Sequence, residues 1–121
     1  MNVLVTGCHG LLGQKIVAQA PNGFEVFGID LQDSSGILSK ENYFQCDFTQ
    51  HENILPLVEK IRPEIIVNAA AYTNVDGAET ERQLCWDINV AGVENLVLCA
   101  QKIGSKIVHV STDYIFDGIN G

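Results

Sequence analysis

The sequence predicts an α/β protein built on a doubly wound parallel sheet, and three observations predict it. Short apolar runs alternate with stretches of helical periodicity along the whole chain. A glycine cluster stands between the first apolar run and the first helical stretch. The last apolar run ends in two hydroxyl residues, Ser111 and Thr112, at the carboxyl edge where open parallel sheets carry their ligands.

The elements follow in order. Val3-Leu4-Val5 is a short, wholly apolar strand. Leu11 to Ala20 places apolar side chains at 11, 12, 16, 17 and 20, which is helical spacing, and Pro21-Asn22-Gly23 stops it. Phe24 to Ile29 is the second strand, ending at Asp30, and 31–41 is a polar loop. Tyr43 to Cys46 is the third strand. Glu52 to Ile61 has apolar positions at 54, 57, 58 and 61. Pro56 fits that helix if it starts near Asn53, because a first-turn proline loses no intrahelical bond. Ile65 to Val67 is the fourth strand. A long helix runs from Glu79 to Ile103, with Gly104 as its C-cap, and Ile107 to Val110 is the fifth strand. Strands separated by helices make right-handed βαβ units, and the expected strand order is 3-2-1-4-5. This is a Rossmann-type sheet, and its switch point puts the loops after Thr6 and Val67 beside a ligand. No linker or second domain is visible, and the fold is expected to be cut off after its fifth strand.

Composition narrows the function classes. The 121 residues carry a net charge of −8 with no run of Lys or Arg, which argues against a nucleic-acid or anionic-membrane surface. No apolar run approaches the ~20 residues of a membrane span. Cys8, Cys46, Cys85 and Cys99 form no C-x-x-C pair, and His9, His51 and His109 do not fall at zinc-ligand spacing, so no metal site is expected. Without a signal-peptide pattern, the cysteines read as free, mostly buried thiols of a cytoplasmic protein.

Gly7-Cys8-His9-Gly10-Leu11-Leu12-Gly13 sits between strand and helix, the context a dinucleotide-binding loop requires. Gly7 permits a tight turn, Gly10 lets a pyrophosphate approach the backbone, and Gly13 lets helix and strand pack closely. The helix N-terminus adds free N–H groups and a positive dipole end. Asp30, 17 residues after Gly13, is placed to accept from the adenosine ribose hydroxyls and to repel a 2′-phosphate. No Lys or Arg follows until Lys40, so NAD(H) is favoured over NADP(H). Asp30 also reads as a turn cap. Asp47 and Phe48 border the adenine, or are a turn aspartate beside a core aromatic. Ala69, Ala70, Ala71 and Tyr72 follow strand four, where small residues let the cofactor pass close to the backbone. Asp76 and Glu79 read as a capping pair, and Asn89 as a polar group behind the site or a solvent-facing residue. His9, although inside the phosphate loop, and His109 in mid-strand read as structural.

These glycines, with Asn68-Ala-Ala-Ala-Tyr-Thr73, Val75-Asp76, Asn89-Val90 and Ser111-Thr-Asp-Tyr-Ile-Phe-Asp-Gly118, resemble the extended short-chain dehydrogenase/reductases over nearly the whole chain. Epimerases and dehydratases of that family usually carry a His-containing segment after strand four, so the Asn68–Thr73 form points to the branch reducing 4-keto-sugar nucleotides. The resemblance implies hydride transfer from NAD(H) or NADP(H). It assigns Thr112 to the substrate carbonyl, Ser111 to the cofactor, and Thr73, Val75, Asp113 and Tyr114 to the nucleotide-sugar. The family's proton donor is a Tyr with a Lys four residues later. Here Tyr43, Tyr72 and Tyr114 are followed at that distance by Asp47, Asp76 and Gly118. The chain is therefore expected to be an incomplete dinucleotide-binding domain without its substrate region, inactive alone and with a possible homo-oligomeric state. A non-catalytic binding protein of the same fold shares the terminal block; the regulatory subunit of methionine adenosyltransferase is one.

Overall fold

The structure is a computed structural model and describes residues 1–70 and 90–109. Five parallel strands form one sheet in the order β3-β2-β1-β4-β5. They are β1 (Asn2–Thr6), β2 (Glu25–Asp30), β3 (Tyr43–Gln45), β4 (Ile65–Asn68) and β5 (Lys106–His109). Among the described residues the helices are α1 (Leu11–Ala18), α2 (His51–Ile61) and α3 (Gly92–Ile103).

β1 lies at the centre and pairs on both sides, with β2 through Thr6↔Ile29 and with β4 through Thr6↔Asn68. Side chains on a strand alternate between faces, so its apolar run feeds two cores. Leu4 joins Ile29, Ile54, Val58, Ile66, Leu96 and Cys99 beneath α2 and α3. Val3 and Val5 join Cys8 and Tyr43, with Ile16 and Val17 of α1 packed against them. On the α1 side an apolar groove of about 340 Å³ remains over β1, β4 and β5, and Val108 is half exposed at its margin.

The helix ends differ from expectation in instructive ways. α1 stops at Ala18 rather than Ala20, with Gln19 as its C-cap. α2 begins at His51, which moves Pro56 out of the first turn. Proline there leaves the Glu52 carbonyl without its helical donor, and both residues are exposed, so water replaces the lost N–H. Of the long helix expected over 79–103, the part from Val90 lies within the described residues, and α3 begins at Gly92. Its C-cap is Gly104 at φ 77°, as expected. Cys8, Cys46 and Cys99 are free and buried; Cys85 lies outside the described residues.

α2 closes on Arg62 at φ 49°, the one left-handed non-glycine among the described residues. Its N–H still reaches the Val58 carbonyl at 2.8 Å. A side chain in this region is strained, and Arg62 is exposed to solvent. Arg62→Gly is expected to raise stability by roughly 0.5–1 kcal/mol. A lower urea midpoint for the variant would refute this.

Candidate functional site

The glycine-rich turn leaves β1 at its carboxyl end. Gly7 takes φ +64°, and a Cβ on it would meet the Ala70 Cα at 2.7 Å, so loop and β4 end touch backbone to backbone. Gly10 donates its N–H to the Gly7 carbonyl at 3.0 Å and caps α1 in an extended conformation. Gln14 N–H then makes the helix's first bond, to the Gly10 carbonyl at 2.9 Å. The N–H groups of Leu11, Leu12 and Gly13 therefore have no helical acceptor. No acidic side chain stands in that turn to compete for them. Gly13 presses on the loop: a Cβ there would lie 2.1 Å from the Gly7 oxygen, whereas one on Gly10 would meet only that oxygen, at 3.3 Å. The crowded glycines build the cradle, and the open one faces where an anion would enter.

Asp30, at the end of β2, turns back onto this loop. Its Oδ2 accepts from the His9 N–H at 2.9 Å and its Oδ1 from the Leu31 N–H at 2.8 Å. The turn-capping role is thus present, together with a tie to the glycine loop. The His9 ring lies 4.9 Å from the Tyr43 ring, with Nδ1 3.0 Å from Gln32 Oε1 and Nε2 2.8 Å from Ser35 Oγ. Tyr43 hydroxyl donates to the Gln32 carbonyl. Burial first, then the charges of neighbouring acids, push that phenol up to about 12. Cys8 is buried against Gly28, and burial followed by the Asp30 charge pushes its thiol up to about 12. Cys8, His9 and Asp30 bring potential ligand atoms within 4.8 Å of one another. In this structure the three are engaged in packing and hydrogen bonds: the thiol is buried against Gly28, and both His9 nitrogens meet the loop after β2.

Asp47 is exposed and its Oδ1 accepts from the Thr49 N–H and hydroxyl, at 3.0 and 2.6 Å. Phe48 is in the core with its ring over Gly92, where a Cβ would meet Cε2 at 2.6 Å. Of the two readings of this pair, the turn aspartate and core aromatic match these positions. Ala69 packs on the α1 side of the sheet and Ala70 on the other.

Sequence reasoning missed one feature of the switch point. Thr6, Asn68 and His109 stand in one row across the carboxyl ends of β1, β4 and β5. Thr6 hydroxyl donates to Asn68 Oδ1 at 2.6 Å and accepts from the Ala70 N–H at 3.4 Å. Asn68 Nδ2 donates to His109 Nδ1 at 3.1 Å, so that ring carries its proton on Nε2 when neutral. Thr6 and Asn68 are the buried polar residues among those described. The available signal was a hydroxyl and an amide closing two neighbouring apolar strands. Ala71, Tyr72, Thr73, Val75, Asn89, Ser111, Thr112, Asp113 and Tyr114 lie outside the described residues.

Comparison with known proteins decides the kinship. Residues 1–121 match the RmlD substrate-binding domain family. The chain belongs to that family. A curated relative, dTDP-4-dehydrorhamnose reductase of Aggregatibacter actinomycetemcomitans, is 36% identical over 118 residues, which is 96% of this chain and 36% of the relative. The chain thus spans about a third of that relative's length. The crystal structure of the Bacillus anthracis dTDP-4-dehydrorhamnose reductase in complex with NADP is 34% identical, with a TM-score of 0.79 over 98% of this chain and 39% of that one. The UDP-glucose 4-epimerase of Thermus thermophilus, complexed with NAD, is 27% identical, with a TM-score of 0.80 over 93% of this chain and 38% of that one. At these scores, over nearly the whole chain, the RmlD-family fold is shared with both proteins.

Proposed function

We propose that the chain is the dinucleotide-binding part of a nicotinamide-dependent reductase that converts dTDP-4-dehydrorhamnose to dTDP-L-rhamnose. The observation that carries the reading is the cradle: three N–H groups at the start of α1, held open by glycines that admit no Cβ, with the Asp30 carboxylate alongside. An anionic pyrophosphate fits those donors, and a ribose hydroxyl fits the carboxylate's remaining lone pairs.

The residues divide the work. The loop Gly7–Gly13 takes the pyrophosphate, Asp30 the adenosine ribose, and Asp47 the adenine side, with Phe48 supporting it from the core. Ala69, Ala70, Ala71 and Tyr72 let the nicotinamide half run along the sheet edge, with Asn89 and Ser111 beside it. When bound, the reduced nicotinamide supplies hydride. Thr112 donates its hydroxyl to the keto oxygen, and Thr73, Val75, Asp113 and Tyr114 line the sugar. A repelling carboxylate at the ribose favours NAD(H) over NADP(H). The missing Tyr-x-x-x-Lys pair means that these 121 residues alone turn over no substrate. No helix among the described residues is long and apolar enough to cross a membrane. A homo-oligomeric state belongs to the same reading.

Fluorescence titration with NADH tests the reading. Saturable binding in the micromolar range is expected, with no consumption of NADH when dTDP-4-dehydrorhamnose is added. Absence of binding at millimolar NADH would sink the cofactor role, and turnover near the rate of a full-length relative would sink the predicted inactivity.

A further inference from the structure

We propose that the His9 imidazole determines which dinucleotide this site accepts, by strapping the loop after β2 shut beside Asp30; this rests on reading the glycine cradle as a dinucleotide site. The loop leaves β2 where the ribose-binding carboxylate sits, and 31–39 contains one charged residue, Asp33, and no cation. Of its apolar side chains, Leu31 and Ile37 are exposed, which leaves Leu38 to hold the loop by packing. His9 holds it from the other side of the site, at two points 23 and 26 residues away in sequence.

The hydrogen-bond roles are fixed by what each partner has left. Ser35 Oγ already accepts from the Ile37 and Leu38 N–H groups, both at 3.1 Å. Its own proton is therefore what it offers to His9 Nε2. Gln32 Oε1 can only accept, so Nδ1 carries the ring proton and donates. Beneath the ring, Tyr43 fixes the Gln32 carbonyl, and Leu38 closes over Cys8 and Gly28. The loop is thus pinned near its start, middle and end.

The consequence is electrostatic. The groups facing His9 are Asp30, from the end of β2, with Oδ2 3.9 Å from Nδ1; Gln32 and Ser35, from the loop; and Tyr43, from β3. Asp33 adds a second negative charge nearby, and Cys8 and Tyr43 hold their protons. With the strap closed, both ring nitrogens are spent on the loop, and the loop itself carries no cation to meet a 2′-phosphate. A 2′-hydroxyl meets an acceptor, and a 2′-phosphate meets carboxylates. Opening the strap lets the loop and its charge withdraw, so discrimination falls. His9 acts here as a positioning residue, through Asp30 and the loop.

Calorimetric titration with ADP-ribose and 2′-phospho-ADP-ribose, which lack the nicotinamide, tests this on the adenosine side alone. The unaltered chain is expected to favour ADP-ribose by about thirtyfold, the effect of one to two like charges at a partly exposed site. His9→Ala should weaken ADP-ribose about tenfold and the 2′-phosphate probe little, collapsing the ratio to about threefold. Ser35→Ala, which leaves the cradle untouched, should lower the ratio in the same direction, and the double variant should go no further, because both act through one contact. Ratios unchanged in both folded variants would overturn the proposal while leaving the cradle reading intact. So would a parent chain that prefers the 2′-phosphate probe. If neither probe binds the parent chain, the dinucleotide reading falls and this proposal with it. Should His9→Ala fail to fold, Ser35→Ala alone decides.

Discussion

Gly13→Ala is expected to destabilise the chain by roughly 3 kcal/mol or more and to abolish dinucleotide binding in whatever fraction still folds. The added Cβ would sit 2.1 Å from the Gly7 oxygen, 2.8 Å from the Cys8 Cα and 2.9 Å from the Gly7 carbonyl carbon. All three are backbone atoms, so no side chain can swing aside. Relief requires α1 to lift off the end of β1, which separates its first N–H groups from the turn that aims them. Gly10→Ala is the informative control. Its Cβ would meet one atom at 3.3 Å, so stability should fall by less than about 1 kcal/mol while affinity still suffers, because the methyl would stand where the proposed pyrophosphate enters. Urea denaturation and NADH titration on both variants check the pair. A Gly13→Ala midpoint equal to that of the parent would refute the cradle geometry.

Thr6→Val should cost about 2 kcal/mol even though valine matches threonine in shape and suits a strand. The loss comes from Asn68. Its Oδ1 is buried and takes the Thr6 hydroxyl proton at 2.6 Å, and the amide is 1% exposed, so water cannot substitute. The Ala70 N–H loses its acceptor as well. Thr6→Ser retains the hydroxyl and should recover most of the loss. A neutral Thr6→Val would mean that Asn68 finds another donor. Because the same amide holds His109, the variant should also speed amide hydrogen exchange along β5.

How much of this was legible beforehand depended on where each signal was stored. β1, β4 and the strand order were readable because strands buried on both faces need continuous apolar runs, and Val3-Leu4-Val5 and Ile65-Ile66-Val67 are such runs. The glycine turn was readable because spacing between a strand and a helix is itself the constraint. The start of α2 was misplaced because Pro56 looks intolerable until both it and Glu52 are known to be exposed. Thr6 closed one strand and Asn68 opened the motif after another, 62 residues apart; only the register sets them side by side. Phe48 needed Gly92, and His9 needed Ser35, before either had a meaning. Pairings at that distance are a property of the fold, and no local window contains them.

The central position of β1 has a consequence for how the chain comes into being. Its partners are Glu25–Ile29 on one side and Ile65–Asn68 on the other. On a ribosome adding roughly 5–20 residues per second, β1 and β2 emerge together within seconds, but β4 follows about 3–12 s after β1. Through that interval the most apolar strand of the nascent chain has one open hydrogen-bonding edge, and its α2-side face lacks the helices that will cover it. Closing the long loop to β4 is the costly contact, and everything that makes it faster shortens the exposure. Synthesis rate and chaperone supply, rather than final stability, should therefore set the yield of soluble protein.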